Sequence, residues 1–488
     1  MKNLDKILAR ISDIRVKGSS DIEVENVVFD SRKAQAGDLF VAVKGTHADG
    51  HKYIDQVVAA GVQAVVCEIL PDNLNNKCTY IQVRDSAEVL GQISSAFYDY
   101  PSDKLKIVGV TGTNGKTTIA SLLYELFKGL GYPCGLLSTI ENKINGKVIK
   151  STHTTPDAVQ INQLMHEMVE NGCEYCFMEV SSHAIHQRRI AGLNFSLGIF
   201  TNITHDHLDY HKTFDEYIKA KKRFFDDLPK NAFAVTNVDD KNGNIMTQNC
   251  KGNIVTYGLK GVADYKARIL ETHFDGTLIH LDGNEIWVKF IGRFNVYNLL
   301  AVYVAAVKLG IESTEVLEQI SKMESVNGRF QTLRSSDGLT AVVDYAHTPD
   351  ALLNVLKTIT EIRTSDNQLI TVVGAGGDRD KTKRPVMASY AVEYSDKVVL
   401  TSDNPRTEDP NEIISEMREG ISREERSKVL EISDRKEAIK TACMLAGEND
   451  IVLVAGKGHE TYQEINGVRH HFDDKEVINE IFKIRGEK

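Results

Sequence analysis

Residues Lys106–Thr118 read KIVGVTGTNGKTT, a β-rich apolar run, a glycine turn, and a Gly115-Lys116-Thr117 step that opens a helical pattern. That order suits a nucleoside triphosphate. Glycines let successive backbone N–H groups close round phosphate oxygens, and the helix N-terminus adds positive potential. Lys116 can reach the β and γ oxygens, and the Thr117 hydroxyl is a magnesium ligand. Gly112, Thr113, Asn114 and Thr118 complete the loop. The strict phosphate-loop pattern would put its leading glycine at position 110, which is valine; Gly109 and Gly112 are the nearest. No N-K-x-D guanine signature is present, so ATP is expected rather than GTP.

Glu179 closes the apolar run FMEV and is followed by Ser181, Ser182 and His183. A carboxylate at a strand end beside a phosphate loop is placed to hold Mg²⁺, a hard cation that takes oxygen ligands. Taken alone, such a glutamate is more often a solvated or capping residue. The stretch Asn202–His211, NITHDHLDYH, carries three histidines and two aspartates. Its spacing fits no standard zinc frame, so contacts to phosphate, backbone or a magnesium-bound water are expected instead. Cys173 and Cys176 form a CxxC without a second pair and read as small buried residues.

Toward the C-terminus, four apolar runs end in loops rich in charge and glycine: TAVV into DYAHTPD, LITVV into GAGGDRDKTKR, KVVL into TSDNPRTEDP, and DIVLVA into GKGHE. Arg379, Arg384 and Arg406 lie in these loops with Asp378, Asp403 and Glu460. Arginine forks match carboxylates and acidic groups match an ammonium, so the mixture suits a zwitterionic amino acid. Ordinary surface ion pairs are the alternative.

The elements needed to position these residues follow from the pattern. Strand-like runs alternate with helical ones, notably Ala158–Glu170 and Phe214–Phe225, which predicts parallel sheets covered on both faces with ligands beyond the carboxyl ends of the strands. The first hundred residues carry shorter strands at Val24–Phe29, Leu39–Val43 and Ala64–Val66 and a helical stretch at Ile54–Ala60. That predicts a small α/β unit joined onward by a linker at Ala96–Lys104. At 488 residues the chain exceeds one core, and the expected division is 1–100, 101–332 and 333–488. The fold class is α/β: a small N-terminal domain, a central parallel-sheet phosphate-loop domain and a C-terminal Rossmann-like domain.

A net charge of −10 argues against a nucleic-acid binder held by phosphate contacts. The N-terminal MKNLDKILARISDIRVKG is broken by charges and cannot serve as a signal-peptide core, and no apolar run is long enough for a bilayer. Seven cysteines, an odd number, fit a reducing compartment. A cytoplasmic monomer with small-molecule substrates and no nucleic-acid or membrane partner is expected.

The chain resembles the Mur ligase family. The resemblance runs over essentially its whole length and is carried by DSRKAQAGDLFVAVKGTHADGH, TGTNGKTT, THTTPD, MEVSSHAIHQRRI, NITHDHLDYH, GRFNVYNLLAV, NGRF, DYAHTPD, GGDRDKTKRPVM, DNPR and GKGHE. It implies an ATP-dependent amide ligation in peptidoglycan precursor synthesis. ATP phosphorylates the γ-carboxylate of the D-glutamyl residue of UDP-N-acetylmuramoyl-L-alanyl-D-glutamate, and an amine then displaces phosphate.

By the same resemblance, Ser31 and the Thr46-His47-Ala48 turn hold the UDP end. His153, Thr154, Thr155, Ser181, Gln187 and Arg189 grip the muramoyl-dipeptide. Lys116, Glu179, His207 and Lys221 form the catalytic set, with Thr117, Glu179, His207 and a carbamylated Lys221 at the Mg²⁺ sites. Asn295, Arg329 and Asp344 serve the nucleotide. Arg379, Asp403, Asn404, Pro405, Arg406, Gly456 and Glu460 form the amino-acid pocket, where the DNPR tetrad implies meso-diaminopimelate. Diaminopimelate carries a second carboxylate that Arg406 can clamp. Lysine lacks it and would leave the arginine buried without a partner. The alternatives are the same ligation with L-lysine, a folylpolyglutamate synthetase, which the DSR…GDLFVA unit counts against, and a phosphate-loop regulatory NTPase, which would not need the C-terminal array.

Overall fold

Apolar runs without polar alternation, such as Ile107–Val110 and Leu369–Val373, belong in sheets covered on both faces, and all of these residues are buried. The computed structural model describes residues 1–45, 48–151 and 153–486, with the backbone alone at 209 and 486. It places the two runs at the centres of separate sheets.

In the eleven-stranded sheet, Lys106–Thr111 lies between Tyr175–Glu179 and Phe195–Phe200 and runs parallel to both. Cys134–Leu137 flanks it on one side and Phe233–Asn237 and Asn253–Gly258 on the other, all parallel. Hairpins widen both edges: Glu141–Ile144 with Lys147–Lys150, and Tyr265–His273 through Gly276–Leu281 to Asn284–Val288. Helices Lys116–Gly129 and Arg293–Lys308 bury their apolar residues on the face that carries Val108 and Val110. Helices Ala158–Glu170 and Phe214–Asp226 cover the face that carries Ile107. The last is started by Thr213, whose side chain accepts from Glu216 N as in a capping box. Its Tyr217, Lys221, Phe224 and Phe225 share the buried side.

The six-stranded sheet has the order Gln331–Arg334, Thr340–Asp344, Ile451–Ala455, Leu369–Val373, Lys397–Leu400, Val429–Glu431, parallel except for its first strand. In the N-terminal sheet, Val27–Val28, Leu39–Val41, Ala64–Cys67 and Thr79–Gln82 run parallel, and Arg15–Lys17 is antiparallel at the edge.

One expectation is corrected here. Val24–Phe29 is not one strand. Glu23–Val24 and Val27–Val28 join different sheets, because the backbone between them bonds the Gly37 turn, Glu25 N donating to Gly37 O and Leu39 N to Asn26 O. Ala96–Lys104, the expected linker, is packed over most of its length. Its start continues the helix Ser86–Phe97, Pro101 and Ser102 are buried, and Tyr98 packs its ring on His166 of the next domain's helix. Aromatic residues in this stretch have apolar surface to cover, which a free tether would leave in water.

Candidate active site

The phosphate loop takes its shape from two glycines. Gly112 has φ +152° and Gly115 φ +89°, and a Cβ on Gly112 would stand 1.9 Å from Thr201 Oγ1. Thr201 Oγ1 donates to Asn114 O at 2.6 Å, and Asn114 N donates to Asn202 Oδ1 at 2.9 Å. The start of the NITHDH segment thus braces the loop from outside. Lys116 Nζ folds back to donate to Gly112 O at 2.9 Å and Thr113 O at 2.8 Å. Burial lowers the Lys116 pKa, against the pull of Glu179 and Asp206.

Glu179 ends its strand opposite Val110 and is 1% exposed. It accepts from Thr117 Oγ1 at 2.9 Å and from Thr139 N at 2.7 Å. Two buried oxygen donors therefore meet one turn from Lys116. Among the described residues, no three His, Cys, Asp or Glu side chains converge as an all-protein metal cage. A hydroxyl and a carboxylate beside a phosphate loop fit Mg²⁺, which keeps several waters and completes its shell with phosphate oxygens.

Lys221 is buried in the same wall, 1% exposed, with Nζ donating to Gly112 O at 2.8 Å and lying 4.7 Å from the Tyr217 ring centre. Burial, aided by the Lys116 charge, drives its pKa well below the ordinary lysine value. His207 is left-handed at φ 55°, with Nε2 3.4 Å from Asp206 Oδ2.

These groups line a cleft of about 500 Å³ between the two large sheets. The dipeptide-side expectations enter it as a set, with His153, Thr154, Thr155, Ser181 and Arg189 in its wall. Thr155 Oγ1 donates to Glu179 O at 2.8 Å, and Arg189 donates to Thr155 O at 2.9 Å. Gln187 is not in the wall; its Oε1 accepts from Arg189 Nε at 3.0 Å and so aims that guanidinium.

A second cavity of about 360 Å³ adjoins the phosphate loop and shares Asn114, Gly115 and Arg329 with the cleft. Thr118 and Asp344 line it. Asp344 accepts from Phe330 N at 2.7 Å, and burial raises its pKa to about 6 despite Arg329. Asn295 lies behind this cavity, its Oδ1 accepting from Asn298 Nδ2 at 3.3 Å, and it is Asn298 that faces the space.

The amino-acid residues come from the carboxyl ends of the C-terminal strands. Arg379, Asp403, Asn404, Arg406, Gly456 and Glu460 all line the cleft. Pro405 does not, but its carbonyl lies where a Cβ on Gly377 would come within 1.9 Å. Asp403 Oδ1 is buried with no hydrogen-bond partner among the described residues. Glu460 Oε2 accepts from Asn404 Nδ2 at 2.8 Å and Lys457 Nζ at 3.2 Å. Burial and the Asp403 charge raise the Glu460 pKa. A cation arriving here would meet a buried acid and a half-buried one that share one buried lysine.

Arg384 departs from expectation. It lies in helix Lys383–Tyr394, is 0% exposed, and donates through Nη1 and Nη2 to Glu408, each at 2.9 Å, and also to Glu416. It holds internal acids together and is not a free carboxylate receptor. Ser31 and Ala48 follow strands whose carboxyl ends share one edge of the N-terminal sheet, and neither lines the cleft. Thr46 and His47 lie outside the described residues.

Several cleft residues had no assigned role in the sequence. His347 and Lys383 line it, and Lys383 Nζ donates to His347 O at 3.0 Å. Burial drops the His347 pKa to about 4, keeping the imidazole neutral. Asp350, in the second cavity, accepts from Asn114 Nδ2 at 3.1 Å, a direct bond between the C-terminal domain and the phosphate loop. The signal for all three lay in the strand-end loops DYAHTPD and GGDRDKTKRPVM, where position, not residue type, marks them.

Three stretches of the chain match known domains: residues 23–98 the catalytic domain of the Mur ligase family, 110–306 the Mur ligase middle domain, and 328–458 the Mur ligase glutamate ligase domain. The chain belongs to the Mur ligase family. This Mur ligase is 57% identical to the UDP-N-acetylmuramoyl-L-alanyl-D-glutamate–2,6-diaminopimelate ligase of Cytophaga hutchinsonii, over 98% of the chain and 99% of the relative. It is 55% identical to the ligase of the same name from Bacteroides fragilis, over 99% of both. A solved structure bearing that ligase name superposes with a TM-score of 0.71 at 34% identity, covering 99% of both chains. No helix among the described residues of this Mur ligase is long and apolar enough to cross a membrane.

Proposed function

We propose that this Mur ligase joins meso-2,6-diaminopimelate to the D-glutamyl γ-carboxylate of UDP-N-acetylmuramoyl-L-alanyl-D-glutamate, with ATP converted to ADP and phosphate. The observation that carries the reading is that Arg406, Asp403 and Glu460 face the same cleft as Lys116 and Glu179. An arginine fork and a pair of acids match a zwitterion with an additional carboxylate, beside a loop that can present a γ-phosphoryl group.

The steps follow from the charges. A carboxylate is a poor electrophile, so a carboxylate oxygen first attacks the γ-phosphorus of ATP and ADP leaves. The amine, having lost a proton, then attacks the acyl carbon, and the C–O bond to phosphate breaks as the amide forms. The first step brings two anions together, and Lys116, the helix N-terminus and Arg329 offset that repulsion. Thr117 and Glu179 would hold Mg²⁺, which supplies further neutralisation of the phosphate oxygens. His207 and Lys221 line the same cleft, where a carbamylated Lys221 would add an anion. The second cavity, with Arg329, Asn298 and Asp344, is read as the nucleoside side. Arg189, aimed by Gln187, with Thr155 and Ser181 is read as the dipeptide side. The loops carrying Ser31 and Ala48 are read as the UDP side, distant from the chemistry.

Competition between meso-diaminopimelate and L-lysine, with ATP and the UDP-muramoyl-dipeptide present and products read by mass, tests the assignment. The diaminopimelate adduct is expected to dominate, with phosphate release dependent on both acceptor and diamino acid. A dominant lysine adduct would move the protein to the lysine-adding reading. Hydrolysis indifferent to both would point to a regulatory NTPase. Lys221 adds a second expectation. CO₂ is taken up by an unprotonated amine, the form that burial favours at Lys221, so exhaustive removal of bicarbonate should slow turnover about tenfold, and restoring it should recover the rate. A rate indifferent to bicarbonate would leave Lys221 as a plain donor to Gly112.

A further inference from the structure

The loop that carries Asp403–Arg406 does not hold its shape alone. Arg406 has φ 52°, a left-handed conformation that costs a residue with a side chain and persists only where neighbours enforce it. Below it, Gly376 and Gly377 allow the loop to come close. Gly377 N donates to Asn404 O at 2.9 Å, and Arg406 Nη1 donates to Gly377 O at 2.6 Å. Above it lies a hairpin, Tyr462–Ile465 paired with Val468–His471, which belongs to neither of the large sheets. Its turn is Asn466-Gly467 with φ 48° and 77°, the two-residue Asn-Gly turn whose twist suits a hairpin.

A lone two-stranded hairpin is marginal in water, yet this one is tied to the loop at each step. Gln463 Nε2 donates to Asp403 O at 2.8 Å and to Ser402 Oγ at 3.3 Å. Glu464 N donates to Asn404 Oδ1 at 2.9 Å. Arg406 N donates to Glu464 O at 3.0 Å, and Asn466 N donates to Arg406 O at 2.7 Å, forming an isolated bridge to Ile465. Every residue from Ser402 to Arg406 except Pro405, which has no N–H, is thus bonded to the hairpin. The hairpin does not line the cleft.

We propose that the hairpin Tyr462–His471 is the positioning element for acceptor selection, with Gln463 as its anchoring side chain. It holds Arg406 left-handed so that its guanidinium meets the acceptor's distal carboxylate, and it fixes Asn404, which in turn holds Glu460. The inference rests on the function read above and deepens it. A carboxylate clamp must sit within about 0.5 Å of its productive place, and a loop released from its brace would relax Arg406 toward the ordinary right-handed region.

The test compares wild type with Gln463→Ala and Gln463→Met, the second keeping bulk while removing the donor. KM and kcat are measured for diaminopimelate, L-lysine, ATP and the UDP-muramoyl-dipeptide, and amide hydrogen exchange is followed at Arg406 and Asn466. Both variants should raise the KM for diaminopimelate about tenfold, the order expected for lost hydrogen bonds. Preference over lysine should fall with it, the KM for ATP should stay within twofold, and exchange at Arg406 and Asn466 should speed up. Unchanged selectivity, or a parallel loss toward diaminopimelate, ATP and the UDP-muramoyl-dipeptide with a lowered Tm, would overturn the proposal and leave the hairpin a structural flap. If wild type prefers another diamino acid, the function reading fails instead, and the same KM split and exchange measurement are read with that acceptor.

Discussion

Lys116→Ala is expected to form product at about a thousandth of the wild-type rate. The step it serves moves a phosphoryl group from one polyanion to an oxygen of another, inside a cleft where solvent cannot screen the repulsion. Lys116 is the cation that opens the helix after the glycine turn. Its Nζ sits 2.9 and 2.8 Å from two carbonyls of the loop itself, so it is already folded over the place where β and γ oxygens would lie. Burial lowers its pKa, and phosphates, being anions, would raise it and hold the proton. Alanine removes the charge and leaves the two carbonyls facing the phosphates. ADP and amide product, measured together by mass, check the expectation. A variant that keeps kcat within tenfold of wild type would mean that the phosphate loop does not carry the transfer.

Arg406→Ala is expected to lower kcat/KM for diaminopimelate roughly 10³-fold while changing the KM for ATP little. The reasoning is one of differences. Diaminopimelate and lysine share an amino-acid end and a distal ammonium, and differ in one carboxylate. A planar fork that answers that carboxylate gains two charge-assisted hydrogen bonds, and removing the fork leaves the carboxylate desolvated with no partner. Arg406→Lys should recover little, because an ammonium has the charge but not the paired geometry. Steady-state rates for both amino acids with each variant decide it. If Arg406→Ala loses lysine and diaminopimelate activity by the same factor, Arg406 shapes the loop and does not read the substrate.

Much of this was legible in the residues. A strand, a glycine turn and Lys116-Thr117 are local in sequence, and local order is what a phosphate loop needs. Runs such as Leu369–Val373 could belong only to covered sheets, and the parallel strands are there. Helix Ala158–Glu170 has the bounds its pattern predicted. What failed to read was of another kind. Arg384 and Arg406 both follow C-terminal strands and look alike in sequence, yet one is locked on Glu408 and Glu416 and the other faces the cleft. The difference lies in which acids the fold brings alongside, here Glu408 in a loop 24 residues on and Glu416 in a helix 32 residues on, and no spacing rule encodes that.

That the Ala96–Lys104 linker is packed was not legible for a similar reason. Proline and polar residues are common to linkers and to packed turns, and only the partner surface tells them apart.

The sequence by itself determined the glycine turn that opens the Lys116 helix, the α/β character and, through the spread of its motifs, the family. Each depends on residues close together in the chain, where backbone geometry and side-chain chemistry act within a turn or two. The tertiary structure alone decided that Thr117 and Glu179 meet, 62 positions apart, that Lys221 is a desolvated amine against Gly112, and that Arg406 is held by a hairpin from the far end of the chain. Those facts follow from burial and from strand order, which set how far apart two groups lie and how much water stands between them.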